Sequence, residues 1–227
     1  MDPLLEKTFD LRLQLPNHAL FVGASMSGKT RLVLHLLDRL ETLHPMPQTI
    51  LFYYDQYQEQ YGHLKQRLAR QGIKISLLEG SSFTLGAVEK KEHQTLVIID
   101  DASEETASSS AIAKVTTNGR HKNLSLWLIW HSLYSKHAAS RLITQNVGYM
   151  FLLPSVRMTS QIHTLDTQLR MKGALVSAYK QACDNSSPSG REETPHKYLL
   201  VDLSAQTPSQ LRLRTNVTEP IQVAFLS

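Results

Sequence analysis

Two glycines, a lysine and a threonine fall into the spacing GxxxxGK[ST] at Gly23-Ala24-Ser25-Met26-Ser27-Gly28-Lys29-Thr30. That spacing suits the binding of a nucleoside triphosphate. Gly23 and Gly28 permit backbone conformations and close approaches that a Cβ would hinder, so the loop amides can point inward as an anion nest. The positive end of a following helix adds to the attraction. Lys29 is expected to reach the β- and γ-phosphates, and the Thr30 hydroxyl to hold Mg²⁺. The motif alone does not choose ATP over GTP.

Phosphoryl transfer also needs an acid near the metal and a group that positions or activates water. Leu96-Val97-Ile98-Ile99-Asp100-Asp101 presents two acids at the exit of an apolar run. Asp100 is the expected Walker-B carboxylate, acting on Mg²⁺ directly or through water. Asp101 stands where many ATPases carry a catalytic glutamate. Its shorter side chain leaves Glu104 or Glu105 able to share the water role. The plain alternative for Asp101 is the cap of a turn or of the next helix.

These groups need a rigid frame, and the hydrophobic pattern supplies one. Ala19–Val22 reads as a buried strand and Lys29–Leu43 as a helix, with Leu32, Val33, Leu36, Leu37 and Leu40 at helical spacing. Pro45 and Pro47 end that helix. Strands are expected at Thr49–Tyr54, Lys74–Leu78, Thr95–Asp100, Ser125–Trp130, Tyr149–Leu153 and Tyr198–Asp202. Helices are expected at Gln58–Gln71, Glu104–Asn118, Ala138–Gln145, Thr159–Leu169 and Gly173–Ala182. Such alternation predicts an α/β fold with a mostly parallel sheet flanked by helices. One domain over residues 1–227 is the economical reading, with the polar segment Asp184–Pro195 as an exposed loop.

Composition narrows the class. With 41% hydrophobic and 19% charged residues, the chain is neither disordered nor fibrous. A net charge of +4 permits a nucleic-acid partner without requiring one. Cys183 is the only cysteine, which excludes an intrachain disulfide and fits a reducing compartment. It supplies no zinc site, and the histidines have no convincing ligand spacing. There is no apolar run of about 18 residues, so no membrane helix is expected. The N-terminal segment mixes acids and arginines among leucines, unlike a signal peptide.

The later sequence adds a resemblance. Gly119-Arg120-His121-Lys122-Asn123-Leu124-Ser125 leads into LWLIW and His131-Ser132-Leu133-Tyr134. With the GxxxSGKT loop and the hhhhDD run, this order resembles the viral DNA-packaging ATPases of the FtsK/HerA superfamily. The closest likeness is to the poxvirus-type branch, which also occurs in Polinton/Maverick elements and related eukaryotic DNA viruses. The segment Arg141–Leu152 and the tail YLLVDLSAQTPSQLRLRTNV also resemble that family, so the likeness spans roughly Leu20 to Val217. One position departs: His131 falls where the family has a polar sensor glutamine. A histidine can still hydrogen-bond a γ-phosphate or water.

The resemblance implies a RecA-like P-loop domain that couples ATP and Mg²⁺ chemistry to movement of double-stranded DNA, as in packaging a viral genome. It implies a homo-oligomeric ring, a capsid or portal-vertex partner, no membrane, and action inside an infected cell. Rings often complete a site with a neighbour's arginine; Arg120 is the first candidate and Arg141 the second. Lys114, Arg120 and Lys122 could contact DNA phosphates, with Lys136 and His137 helping. Tyr53, Tyr54, Tyr57 and Tyr61 could form a base-stacking platform, although core packing is the better default. Two alternatives stay open: a nucleotide-gated assembly protein with weak hydrolysis, and a small-molecule kinase. A kinase lid is usually arginine-rich, and Asp184–Pro195 holds only Arg191.

Overall fold

Period-two alternation along the apolar strands decides the architecture. In a strand, successive side chains point to opposite faces. Leu124, Leu126, Leu128 and Trp130 enter one core, whereas Trp127 and Ile129 enter another. Leu20 and Val22 divide from Ala19 and Phe21 in the same way. A sheet apolar on both faces has to be covered on both. A computed structural model describes residues 9–80, 92–101, 109–134, 138–183 and 197–226 of the protein, and these form a three-layer α/β fold.

The strands are β1 (Leu13–Gln14), β2 (Ala19–Val22), β3 (Leu43–His44), β4 (Thr49–Tyr54), β5 (Lys74–Glu79), β6 (Thr95–Ile99), β7 (Leu124–Trp130), β8 (Tyr149–Leu152), β9 (Leu199–Asp202), β10 (Leu213–Thr215) and β11 (Val223–Ala224). Nine of them form one sheet in the order β11-β10-β9-β8-β2-β7-β6-β4-β5. From β8 to β5 every pairing is parallel; β9, β10 and β11 join antiparallel. β1 and β3 form a separate parallel pair.

Helices α1 (Lys29–Asp38) and α2 (Glu59–Arg70) bury Leu32, Leu36, Tyr61 and Leu64 in the core that holds Phe21, Phe52 and Trp127. There Phe21 stacks on Phe151 with ring centres 4.5 Å apart. Helices Ser110–Asn118, Ala138–Asn146, Thr159–Gln168 and Ala174–Cys183 contribute buried side chains to the opposite core.

The predicted strands and helices are present, most of them within one residue at either end, with one larger difference among the described residues. The helix expected over Lys29–Leu43 stops at Asp38, because Leu40–Thr42 tightens into a 3₁₀ turn and Leu43 extends to pair with Leu13. Of the helix expected over Glu104–Asn118, Ser110–Asn118 is helical; residues 102–108 lie outside the described residues, as does the whole of Asp184–Pro195. The direction of β9 and the strands β10 and β11 were not foreseen. Arg214 on β10 explains part of this edge. It is 1% exposed, pairs with Asp202 of β9 at 2.8 Å, and donates to Leu11 O at 2.9 Å.

His18 is fully buried where β2 begins, and its Nδ1 accepts the Leu126 N–H at 3.1 Å. Burial, with the positive charge of Arg120 adding to it, pushes the imidazole down to about 3. The unfolded chain therefore takes up a proton below the usual histidine value of about 6.5, while the native state refuses it. Stability is fully present above that value and falls with acid, by about 1.4 kcal/mol per pH unit from this group. Denaturant titrations between pH 6 and 5 should show this slope in the wild type and not in His18→Asn, whose amide oxygen can still accept the Leu126 N–H.

Candidate functional site

The carboxyl ends of β2, β4, β6 and β7 meet at one edge of the sheet, and each delivers polar groups there. β2 runs into Gly23, β4 into Asp55 and Gln56, β6 into Asp100 and β7 into His131. Together with α1 and α2 they enclose a cleft of about 310 Å³. Crevices at such strand ends are where open α/β sheets bind ligands.

The loop Gly23–Thr30 is shaped by its glycines. A Cβ on Gly23 would lie 2.6 Å from Ser27 Oγ and 3.0 Å from Leu153 Cβ, so the close turn excludes one. Gly28 takes φ +92° just before α1, in the left-handed region. No side chain caps α1 and no acid lies in its first turn, so its positive end stays available to an anion. The Ser27 Oγ is buried without a hydrogen-bond partner among the described residues. Lys29 folds back onto its own loop and donates to Gly23 O at 3.0 Å and Ala24 O at 2.8 Å. Burial lowers its pKa; the charges of Asp101 and Asp100 act the other way.

Across the cleft, Asp100 is 5% exposed. Its Oδ1 accepts the Thr30 hydroxyl at 2.9 Å, and its Oδ2 accepts the Tyr61 hydroxyl at 2.6 Å. Burial raises its pKa, against the lowering effect of those two hydrogen bonds. The Tyr61 phenol is pushed well above its ordinary range by burial and by the carboxylate it serves. Asp101 turns away into the exposed mouth. Its φ of +55° is a left-handed conformation that non-glycine residues adopt at a cost of about 1–2 kcal/mol.

Asp101 Oδ1 lies 2.6 Å from His131 Nε2, and His131 Nδ1 lies 3.3 Å from Lys29 Nζ. An ammonium only donates, so Nδ1 is the acceptor and Nε2 carries the proton that Asp101 receives. Lys29, His131 and Asp101 thus form one polar chain across the cleft, with one tautomer of the imidazole.

β7 lies between β2 and β6. The phosphate-type loop and the acidic strand are therefore two strand spacings apart, about 10 Å, and His131 emerges in the gap between them.

The structure thus gathers the Gly23–Thr30 loop, Asp100, Asp101 and His131 in one place. It brings neither arginine there. Arg120 precedes β7 and donates to Asn146 O at 3.3 Å, at the opposite end of the strand from His131. Seven strand residues separate the two, about 20 Å. Arg141 lines a separate groove with Tyr134, Thr144 and Gln168. Glu104, Glu105, Lys136 and His137 lie outside the described residues.

Sequence reasoning missed the hydroxyl of Tyr61. Its ring does pack in the core, 4.8 Å from the ring of Phe52, but one face of α2 also brings the phenol to Asp100. The helical spacing of Tyr61, Leu64 and Leu68 was the available signal for that inward face.

Residues 6–150 match the poxvirus A32 protein family, well over half of the chain. The protein belongs to that family. The poxvirus-type resemblance read from its motifs is borne out. Among solved structures the chain is similar to the genome packaging NTPase B204 from Sulfolobus turreted icosahedral virus 2. In its complex with ATP-gammaS the TM-score is 0.50 at 15% identity, covering 84% of this chain and 94% of that one. In its complex with sulfate the TM-score is 0.51 at 16% identity, covering 84% and 93%. No curated protein sequence matches the chain. At these identities the two structures speak for the fold, and they bear out the P-loop α/β expectation.

The geometry separates two roles for the paired acids. Asp101→Asn should fold normally and lower ATP turnover by tenfold or more, with nucleotide affinity changed little. Parallel measurement of kcat and of equilibrium binding checks this; equal losses in both would assign Asp101 to binding instead.

Proposed function

We propose that this protein hydrolyses ATP at the Gly23–Thr30 loop and uses the cycle to move double-stranded DNA into a viral capsid. The observation that carries the hydrolytic half is the polar chain Lys29–His131–Asp101 beside the Thr30–Asp100 pair. The poxvirus A32 family membership supports the packaging half, as does the fold shared with a genome packaging NTPase.

The loop fits a triphosphate. Its helix end is free of acids, its Ser27 hydroxyl lacks a partner, and its lysine is held by carbonyl oxygens that phosphate oxygens can replace. The Thr30–Asp100 pair fits magnesium, a hard cation that keeps much of its water and needs only one or two protein oxygens beside the phosphates. Among the described residues no group of three or more His, Cys, Asp or Glu side chains could hold a different ion. When bound, magnesium would neutralise charge developing on the transferred phosphoryl group.

The chain's own residues divide the remaining work. Loop amides from Ala24 to Lys29 hold the phosphates, and Lys29 leaves Gly23 O and Ala24 O to join them. That movement frees the lone pair of His131 Nδ1, which then accepts a hydrogen bond from water beside the γ-phosphate. Asp101, held by His131 Nε2–H, orients the attacking water. His131 thus fills the sensor place in which the family has glutamine, and couples the arrival of phosphate to the water-positioning acid. Glu104 or Glu105 remains a second candidate for the water.

Arg120 is too far from its own cleft to act there, so its role is on a neighbour in a homo-oligomeric ring. Arg141 is the alternative. Guanidinium suits this task because its charge is permanent and planar. Lys114, Arg120 and Lys122 are the candidates for sequence-independent contacts to DNA phosphates, and the capsid or its portal vertex is the second partner. The setting is the infected cell. Among the described residues no helix is long and apolar enough to cross a membrane.

A mixing experiment tests the shared site. Lys29→Ala and Arg120→Ala should each assemble, and each should lose most turnover, about 10³-fold for the arginine. Mixed together they should regain part of it, because some interfaces pair an intact loop with an intact arginine. Full activity in a strictly monomeric wild type, with DNA and ATP present, would contradict the ring.

A further inference from the structure

Asp100 has two carboxylate oxygens, and the protein treats them differently. Oδ1 meets the Thr30 hydroxyl at the wall of the cleft. Oδ2 points inward to Tyr61, which is 1% exposed. Asp100 as a whole is only 5% exposed, and the phenol is the donor to that oxygen. At 2.6 Å this is a short contact of the charge-assisted kind.

Packing does not require it. The Tyr61 ring lies against Phe52, Tyr54 and Tyr57, with centres 4.8, 5.5 and 6.0 Å away, and a phenylalanine ring would fill the same space. The hydroxyl is an addition to a core position, spent on one carboxylate oxygen. It also ties α2 to the end of β6. The turn leading into α2 places Asp55, Gln56 and Gln58 in the cleft wall.

We infer that Tyr61 is a positioning residue for the metal site: its phenol locks the Asp100 carboxylate so that Oδ1 stays turned toward Thr30 and the cleft. This rests on the reading of Thr30 and Asp100 as the magnesium residues. Without the phenol, Oδ2 would be a buried acceptor lacking a donor, and the carboxylate would be free to rotate toward other partners. Groups that orient a metal-binding carboxylate act on metal affinity, and losing one typically costs 10–100-fold. Tyr61 touches neither nucleotide phosphate nor water in this scheme; it acts through Asp100.

Tyr61→Phe removes one oxygen and keeps the ring, and thermal melting without metal verifies its fold. The readout is equilibrium binding of a fluorescent ATP analogue as Mg²⁺ is titrated, with no turnover involved. The variant should need tenfold or more Mg²⁺ for half-maximal enhancement of binding, while its affinity for the analogue in EDTA stays that of the wild type. A Mg²⁺ curve that superposes on the wild type would overturn the inference. So would an equal loss of affinity with and without metal, which would assign the hydroxyl to general packing of the cleft. Asp100→Asn separates the two levels: if it leaves the Mg²⁺ dependence unchanged, the magnesium reading itself fails, whatever Tyr61 does.

Discussion

The carboxylate of Asp100 carries its charge into a place almost closed to solvent, between a phosphate-type loop and an apolar sheet. An ionised group there is tolerable only if donors surround it. Thr30 from α1 and Tyr61 from α2 supply them. The two helices on one face of the sheet are thereby linked to the end of β6 through a single side chain. The raised pKa of Asp100 and the lowered pKa of Lys29 show the same tension from both signs of charge. A ligand that brings anionic phosphates to the lysine and a divalent cation to the carboxylate relieves both, which gives a cleft of this kind a reason to bind nucleotide with metal.

The rest of the sheet follows from placing these groups at one edge. Parallel pairing sends the ends of β2, β7 and β6 to the same side, so a loop, a histidine and two acids converge although about 110 residues separate the first from the last. The insertion of β7 between β2 and β6 opens the gap in which His131 bridges Lys29 to Asp101. The same topology places Arg120 at the far end of β7. On the ring reading proposed above, Arg120 serves the cleft of a neighbouring subunit and not its own.

Much of this was legible in the residues. The phosphate loop and the Asp100–Asp101 pair announce themselves because their chemistry constrains adjacent positions. The strands β2, β6 and β7 announce themselves by unbroken apolar runs. His131 was legible only through family likeness, since one histidine at a strand end has no local signature. Tyr61 was not legible as part of the site: its inward helical face looks like any core aromatic, and only the fold shows which acid its hydroxyl meets. The antiparallel strands β9 to β11 escaped for a related reason. They are tied by a buried Arg214–Asp202 pair between β10 and β9 and reached by chain reversal, neither of which leaves a periodic trace.

Coupling between ATP turnover in the cleft and movement of duplex DNA is open to a single assay. Steady-state ATP hydrolysis by the wild-type protein should be measured with and without blunt duplex DNA of random sequence, alongside its mass in solution. Turnover should depend on magnesium and rise several-fold with duplex DNA, irrespective of sequence, in a species larger than a monomer. Turnover indifferent to DNA, from a protein that stays monomeric with nucleotide and DNA present, would contradict it.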